Sequence, residues 1–392
     1  MQDEPIASDF DAVVIGARCA GAATAMLLAR AGRRVLLIDR GDYGTDTLST
    51  HALMRGAVVQ LLRWGLLPRI IQAGTPPVRT TTFHLGATTM PVVIKPKYGV
   101  DALYAPRRTV LDPILVDAAR EAGAVVRYGV RVTALARQRD GTVTGVSVVD
   151  RSGHRSDVRT RLVVGADGMR STVAELVEAP IYRSGQHTAA SLYGYWPGLA
   201  ADGYHWHYGE RAATGVIPTN NDETLVFASM PAARWAEMSA NRFAGFLRVV
   251  GDAAPELAQA VAALGERPLT GFAGQIGYFR QSWGPGWVLV GDAGYFKDPL
   301  TAHGITDALR DAELAAEAAC EGSPSAFEHY QRFRDAVSLG LFEVTDRISS
   351  FEWTLSTVAE LLDALSREMV AEVKSMAERR AGPSLPALTA SV

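Results

Sequence analysis

The run DAVVIGARCAGAATAMLLARAGRRVLLID, from Asp11 to Asp39, constrains this chain more than any other stretch. A short apolar strand, Ala12 to Ile15, enters the turn Gly16-Ala17-Arg18-Cys19-Ala20-Gly21. An alanine-rich helix follows, and a second apolar strand, Arg34 to Ile38, ends on an acid. Such a strand–turn–helix–strand unit sets a dinucleotide pyrophosphate on a helix N-terminus. Gly16 permits the tight turn, and Gly21 lets the helix pack closely on the sheet. Asp39 stands where a carboxylate accepts hydrogen bonds from an adenosine ribose. Arg18 occupies the place of the middle glycine and could bring positive charge to the pyrophosphate instead.

Later segments extend the pattern. A helix is expected from Thr50 to Leu67, with strands at Thr80–Leu85 and Met90–Ile94 after the breaker Gly74-Thr75-Pro76-Pro77. Arg108 to Ala122 returns to helical spacing. Val125–Tyr128, Val130–Ala136, Val143–Val149 and Arg161–Val164 read as strands, with Asp140-Gly141 marking a hairpin. Aromatic and β-branched alternation then predicts strands at Ser191–Trp196, Tyr204–Tyr208, Thr214–Pro218 and Thr224–Met230. Helices are expected at Arg234–Val250 and Pro255–Leu264. Trp287–Val290 is one more buried strand, and Gly304–Ala319, Ser325–Ile348 and Thr354–Arg380 are helical, with a loose tail at 382–386.

The expected fold is α/β. A Rossmann-type domain (9–75, 101–180 and 278–320) carries an inserted antiparallel sheet domain (76–100 and 181–277) and a helical region (321–392). The last region either packs on the first domain or makes a homodimer face; its sequence leaves both open.

Bulk properties exclude several classes. The 392 residues are 48% hydrophobic and 21% charged, an ordinary globular composition. A net charge of −3 favours neither nucleic acid nor anionic lipid. Two cysteines, Cys19 and Cys320, are too few for a disulfide scaffold and suit a reducing compartment. No apolar run is long enough to span a bilayer. The first ten residues show no secretory signal, so the expected location is the cytoplasm. Cys19 begins a helix but has no second cysteine nearby and reads as a small packing residue. The histidines and acids lack ligand spacing, and no metal site is expected.

Three further segments accompany the opening turn: Arg108-Thr-Val-Leu111-Asp112, then Gly165-Ala166-Asp167-Gly168, then Gly291-Asp292-Ala293 running to Pro299-Leu-Thr-Ala-His303-Gly304-Ile305. In this order and spacing, from Asp9 to Ala319, they resemble FAD-dependent oxidoreductases of the para-hydroxybenzoate hydroxylase superfamily. That group holds aromatic hydroxylases, geranylgeranyl reductases and flavin-dependent halogenases. The resemblance implies that Asp292 binds the ribitol chain and that the helix from Gly304 points N–H groups at the flavin pyrimidine, stabilising negative charge. Arg108 would reach FAD, and Asp167-Gly168 would support both FAD and a transient NADPH or NADH. Implied cofactor contacts are Gly16, Arg18, Cys19, Ala20, Gly21, Asp39, Arg40, Arg108, Asp167, Gly168, Gly291, Asp292, Pro299, Gly304 and Ile305. The segment from Arg55 would approach flavin and substrate. The third segment lies closer to the reductase and halogenase branches than to typical hydroxylases.

The expected activity is an NAD(P)H-dependent monooxygenase: hydride reduces the flavin, O2 adds to it, and one oxygen atom passes to a bulky aromatic or apolar substrate. A reductase of a C=C or C–N bond is the alternative, and a non-catalytic flavin-binding redox protein a further one. A halogenase ranks lower, because only Val216-Ile217-Pro218 matches the Trp-x-Trp-x-Ile-Pro signature and lysine is scarce. No second strand–glycine turn–helix unit recurs for a resident nicotinamide. His51 and His303, with Arg55, are the candidate catalytic residues, since histidine titrates in the useful range. Strand alternation sets Tyr204, Trp206 and Tyr208 on one face and His205 and His207 on the other. Tyr193, Tyr195, Trp206 and Tyr208 are the candidate substrate contacts.

Overall fold

The computed structural model describes residues 9–379. Its opening elements are strand β1 (Asp9–Ile15), helix α1 (Cys19–Arg30) and strand β2 (Val35–Asp39). The two strands pair in parallel, from Ala12 with Val35 to Ile15 with Ile38. Gly16 turns the chain at φ 101°, a region side chains avoid. A Cβ on Gly21 would lie 1.8 Å from the Gly16 carbonyl oxygen, so only glycine allows α1 to start so close to the turn. From Cys19 to Ala29 every residue of α1 is buried, which explains its small side chains. It packs between the helices Arg108–Glu121 and Gly304–Glu321.

The first sheet runs Trp283–Gly284, Trp287–Leu289, Arg155–Gly165, β1, β2, Val125–Tyr128. The last five strands are parallel, and β1 and β2 are near-continuous apolar runs, as burial on both faces demands. The hairpin Arg131–Arg137 and Val143–Val149 folds antiparallel onto Arg155–Gly165.

The second sheet has seven strands in the order Thr270–Phe272, Ala189–Pro197, Glu223–Pro231, Ala212–Pro218, Tyr204–Gly209, Thr80–Leu85, Thr88–Val93. One pair departs from the antiparallel expectation: Tyr204–Gly209 runs parallel to Thr80–Leu85. Those two strands are joined by a long excursion through the first sheet, so no tight turn fixes their direction. One face of this sheet buries Tyr193, Tyr204, Trp206, Tyr208 and Phe227. The other buries Leu192, Trp196, Val226 and Met230 under the helix Arg242–Ala253.

Two helix expectations need correction. The helix expected over Thr50–Leu67 starts only at Arg55 and ends at Arg63, followed by a separate helix, Leu67–Gln72. Before it, His51 adopts φ 45°, which no helix accommodates. The helix expected over Arg234–Val250 is two, Trp235–Ser239 and Arg242–Ala253, divided at Asn241, whose side chain caps the second. Strands at Ile181–Ser184, Tyr278–Arg280 and Tyr295–Phe296, which form a small third sheet, carry too few residues to show a period.

The last helices, Pro324–Ser349 and Leu355–Glu378, pack against the body of the molecule. Glu372 reaches inward to His303 and Arg310, each at 2.5 Å. The tail at 382–386 lies outside the described residues. Among the described residues, no helix is long and apolar enough to cross a membrane.

Candidate active site

A cleft with about 1300 Å³ of atom-free space, partly open to solvent, lies between the two large sheets. Two helix N-termini open onto it. Arg18, Cys19 and Ala20 bring the start of α1, and Gly304 and Ile305 the start of the helix Gly304–Glu321. Neither start is capped by a side chain. Their first-turn N–H groups therefore lack intrahelical partners and carry the positive end of each helix dipole.

Asp112 organises the floor beside α1. It accepts from Arg108 Nε at 2.9 Å and Arg108 Nη2 at 3.0 Å, from Arg18 Nη1 at 3.0 Å and from Cys19 Sγ at 3.2 Å. Arg18 also donates to the Thr45 carbonyl at 2.6 Å. The Arg18 guanidinium thus braces the turn to the Arg108–Glu121 helix while lining the cleft. Burial pushes the Cys19 thiol well above the usual range, so this cysteine is a packing group and no thiolate.

Charged groups line the opposite wall. Burial raises Asp292 to about 6, against the opposing charges of Lys297 and Arg108. Burial pushes Lys297 down to about 7, and its ammonium contacts Asp307. Arg310 links Asp307 at 2.9 Å, Asp311 at 2.8 Å and Glu372 behind that wall.

The roof is aromatic. Trp206, Phe227, Tyr193 and Phe272 line it, with Ser191 and Ser229 paired at 2.5 Å between them. Ser49 N–H donates to the Tyr193 hydroxyl at 3.0 Å, tying the roof to the 48–52 segment. Within that segment His51 also lines the cleft. Its Nδ1 is 3.1 Å from the Ala105 carbonyl, which can only accept, so Nδ1 carries the proton. Nε2 is then the acceptor for the Tyr195 hydroxyl at 3.0 Å. Burial and the Arg107 charge lower His51 to about 3.

Of the residues singled out by sequence, Arg18, Cys19, Ala20, His51, Arg108, Gly168, Tyr193, Trp206, Asp292, Pro299, Gly304 and Ile305 meet at this cleft. Gly16 and Gly21 shape the turn behind it, and Gly291 packs between Ala20 and Ala308. Asp39 accepts from the backbone N–H groups of Ala17 and Gly41, each at 2.7 Å, and Arg40 is exposed. Asp167 caps a short helix through Thr172 N–H at 2.7 Å. Arg55 is not brought to the cleft: its guanidinium donates to the carbonyls of Lys95 and Val100 at 2.8 and 3.0 Å. His303 is fully buried on Glu372, with Nδ1 unpartnered, and does not reach the cleft surface. Tyr195 sits behind His51 under the Arg107 guanidinium, and Tyr208 packs on Trp353.

Sequence reasoning missed Lys297, Asp307 and Phe227 as cleft residues. Phe227 was readable only through strand register, since Gly215 joins it to Trp206 across two strands. Two groups of possible metal ligands come together that the sequence spacing does not announce. His84, His205 and His207 converge from two strands, with ligand atoms within 4.8 Å of one another. His303, Asp307 and Glu372 converge as well, but Lys297 and Arg310 already hold those carboxylates.

Comparison with known proteins adds the family context. Residues 9–344 match the family described as FAD binding domain. The chain is similar to the menaquinone reductase of Mycolicibacterium smegmatis, 27% identical over 395 residues, covering 89% of this chain and 90% of that protein. It is also similar to the digeranylgeranylglycerophospholipid reductase of Methanocella arvoryzae, 25% identical over 315 residues, covering 79% and 76%. Among solved structures, the flavin-dependent brominase Bmp2 superposes with a TM-score of 0.76 at 18% identity, covering 93% of each chain. PqsL of P. aeruginosa, in complex with 2-aminobenzoylacetate, gives 0.73 at 21% identity, covering 94% and 100%.

Proposed function

The chain belongs to the FAD-binding-domain family and is an FAD-dependent oxidoreductase, and on that premise we propose that it is an NAD(P)H-using monooxygenase of a bulky aromatic or apolar small molecule. The observation that carries this is the meeting, in one cleft, of two uncapped helix N-termini and an aromatic roof. The donor set suits FAD. The start of α1 fits a pyrophosphate, and the start of the Gly304–Glu321 helix fits an electron-rich ring system. Space around Gly304 supports this, because a Cβ there would meet nothing within 4 Å. Asp292 and Arg108, both on the cleft wall, would hold the ribitol chain and the phosphates.

Bound FAD supplies two-electron redox chemistry and reactivity toward dioxygen. The protein's own groups do the rest. Trp206, Phe227 and Phe272 bury an apolar substrate and keep water from it. His51 offers no transferable proton to the cleft, because both ring nitrogens are engaged and the ring stays neutral. Lys297 Nζ, against Asp307, and Asp292 are cleft groups that hold or give up a proton near neutrality. NADPH or NADH serves as the visiting reductant, and the small-molecule substrate and O2 share the space under the roof.

A reductase reading has one specific support: the likeness to a menaquinone reductase runs over nearly the whole of both chains. In that case Lys297 Nζ would protonate the carbon left after hydride transfer to a double bond. One experiment separates the two. The holoprotein is reduced anaerobically with NADPH or NADH, then mixed with labelled dioxygen and a panel of polycyclic, aromatic and isoprenoid-quinone compounds. A monooxygenase incorporates one labelled oxygen atom per product. Saturation of a double bond, unaffected by omitting dioxygen, overturns that assignment in favour of a reductase.

A further inference from the structure

We propose that His84, His205 and His207 form a binding site for a single zinc ion on the outer face of the seven-stranded sheet. The backbone dictates the convergence. Residues 205 and 207 lie two apart on one strand and so share a face. The parallel register sets His84 directly beside His207 and Thr82 beside His205. The three ligand atoms fall within 4.8 Å of one another. His84 Nε2 and His205 Nδ1 are 3.0 Å apart. Two imidazole nitrogens on one tetrahedral zinc, with bonds of about 2.0–2.1 Å, stand about 3.3 Å apart, so the separation of these two changes little while each ring turns to aim its lone pair at the ion.

The outer partners match what zinc-binding imidazoles require. His205 Nε2 donates to the Asp202 carboxylate at 2.7 Å, which leaves the Nδ1 lone pair facing the cluster. A carboxylate on the far nitrogen fixes tautomer and ring orientation and raises ligand basicity. Without the ion, His84 Nε2–H donates to that lone pair. When zinc binds, the His84 proton moves to Nδ1, where the Thr89 hydroxyl oxygen lies 3.3 Å away to accept it. No net proton is released. The rings of His84 and His207, stacked at 4.0 Å, open by side-chain rotation without displacing either strand. Three neutral nitrogens and one water complete a tetrahedral site.

The ion would clamp two distant parts of the chain. His84 lies on the hairpin Thr80–Val93, which among the described residues pairs with the rest of the sheet along Tyr204–Gly209. On the opposite face of that strand, Trp206 lines the cleft, and its indole N–H donates to Thr81 Oγ1 at 2.8 Å. Zinc on the outside therefore stiffens the roof from behind and takes no part in the redox chemistry.

The test uses the full chain, flavin bound and free of any affinity tag. It is stripped with a chelator and equilibrated with zinc against a chromophoric competitor. One zinc per chain is expected, with a thermal midpoint that rises with free zinc. His84→Ala, His205→Ala and His207→Ala should each abolish the stoichiometric ion. Asp202→Asn should weaken binding about 10- to 100-fold. Flavin content reports folding in every variant. If a histidine variant loses flavin, Asp202→Asn still decides, because that side chain is 92% exposed. Wild-type protein that binds less than one zinc, or variants that bind as wild type does, would overturn the site.

Discussion

The Tyr195 hydroxyl donates to His51 Nε2 at 3.0 Å while His51 Nδ1 donates to the Ala105 carbonyl at 3.1 Å, so the imidazole is clamped neutral at both ends. Its backbone, at φ 45°, is held in the left-handed region by the same contacts.

A pH dependence of stability follows from that clamp. His51 titrates at about 3 in the folded chain and near 6.5 when unfolded. Between those values the unfolded state binds more protons, so stability falls as pH drops from 6.5 toward 3, by up to about 1.4 kcal/mol per pH unit. His51→Asn keeps a donor for Ala105 and tolerates the positive φ. It should flatten this part of the curve, read from denaturant midpoints between pH 4 and 7. By the same logic, the activity profile of the wild type should show no His51 ionisation from pH 5 to 8.

Asp112 carries a different load. Its side chain is 5% exposed and that of Arg108 is 9% exposed. Asp112→Asn leaves the Arg108 charge buried without its partner, and breaking such a pair costs about 3–5 kcal/mol. Because Arg108 and Arg18 both line the cleft, the variant should also retain less FAD, measured as flavin per chain after gel filtration.

Glu372 ties the last helix to the wall behind Lys297. Burial opposes its ionisation, but the His303 charge and hydrogen bond, followed by the Arg310 and Lys297 charges, outweigh that and hold it at about 2. Since the folded value lies below the ordinary 4.5, its stabilisation is present above pH 4.5 and lost as pH falls toward 2. Glu372→Gln should lower stability by about 3–5 kcal/mol near neutrality, seen in chemical unfolding. A variant that unfolds as wild type does would show that the last helix is not anchored here.

The first sheet was legible because its signals are local. Alternating burial along residues 204–208 was equally plain, and it set Trp206 and the two histidines on opposite faces. What escaped detection depends on distant partners. Nothing near residue 84 announces that it lies beside residue 207, since a parallel pairing across more than a hundred residues leaves no turn to read. The 50–67 stretch has helical spacing throughout, yet contacts to Ala105 and Tyr195 pull His51 out of it. Arg55 follows in a real helix, but one that aims its guanidinium at the 95–100 loop, away from the cleft. His303 is the N-cap of the Gly304–Glu321 helix, and Glu372, from a helix whose docking the sequence left open, claims it.

The central claim is that the flavin ring lies at the start of the Gly304–Glu321 helix. A Cβ at Gly304 meets no protein atom within 4 Å, so Gly304→Ala is harmless unless something is bound there. Titrating FAD onto the stripped chain tests this directly. Overpacking by one methyl costs about 1–3 kcal/mol, so affinity should fall about tenfold or more while the FAD-free protein melts as wild type does. Unchanged FAD affinity in Gly304→Ala would contradict the placement.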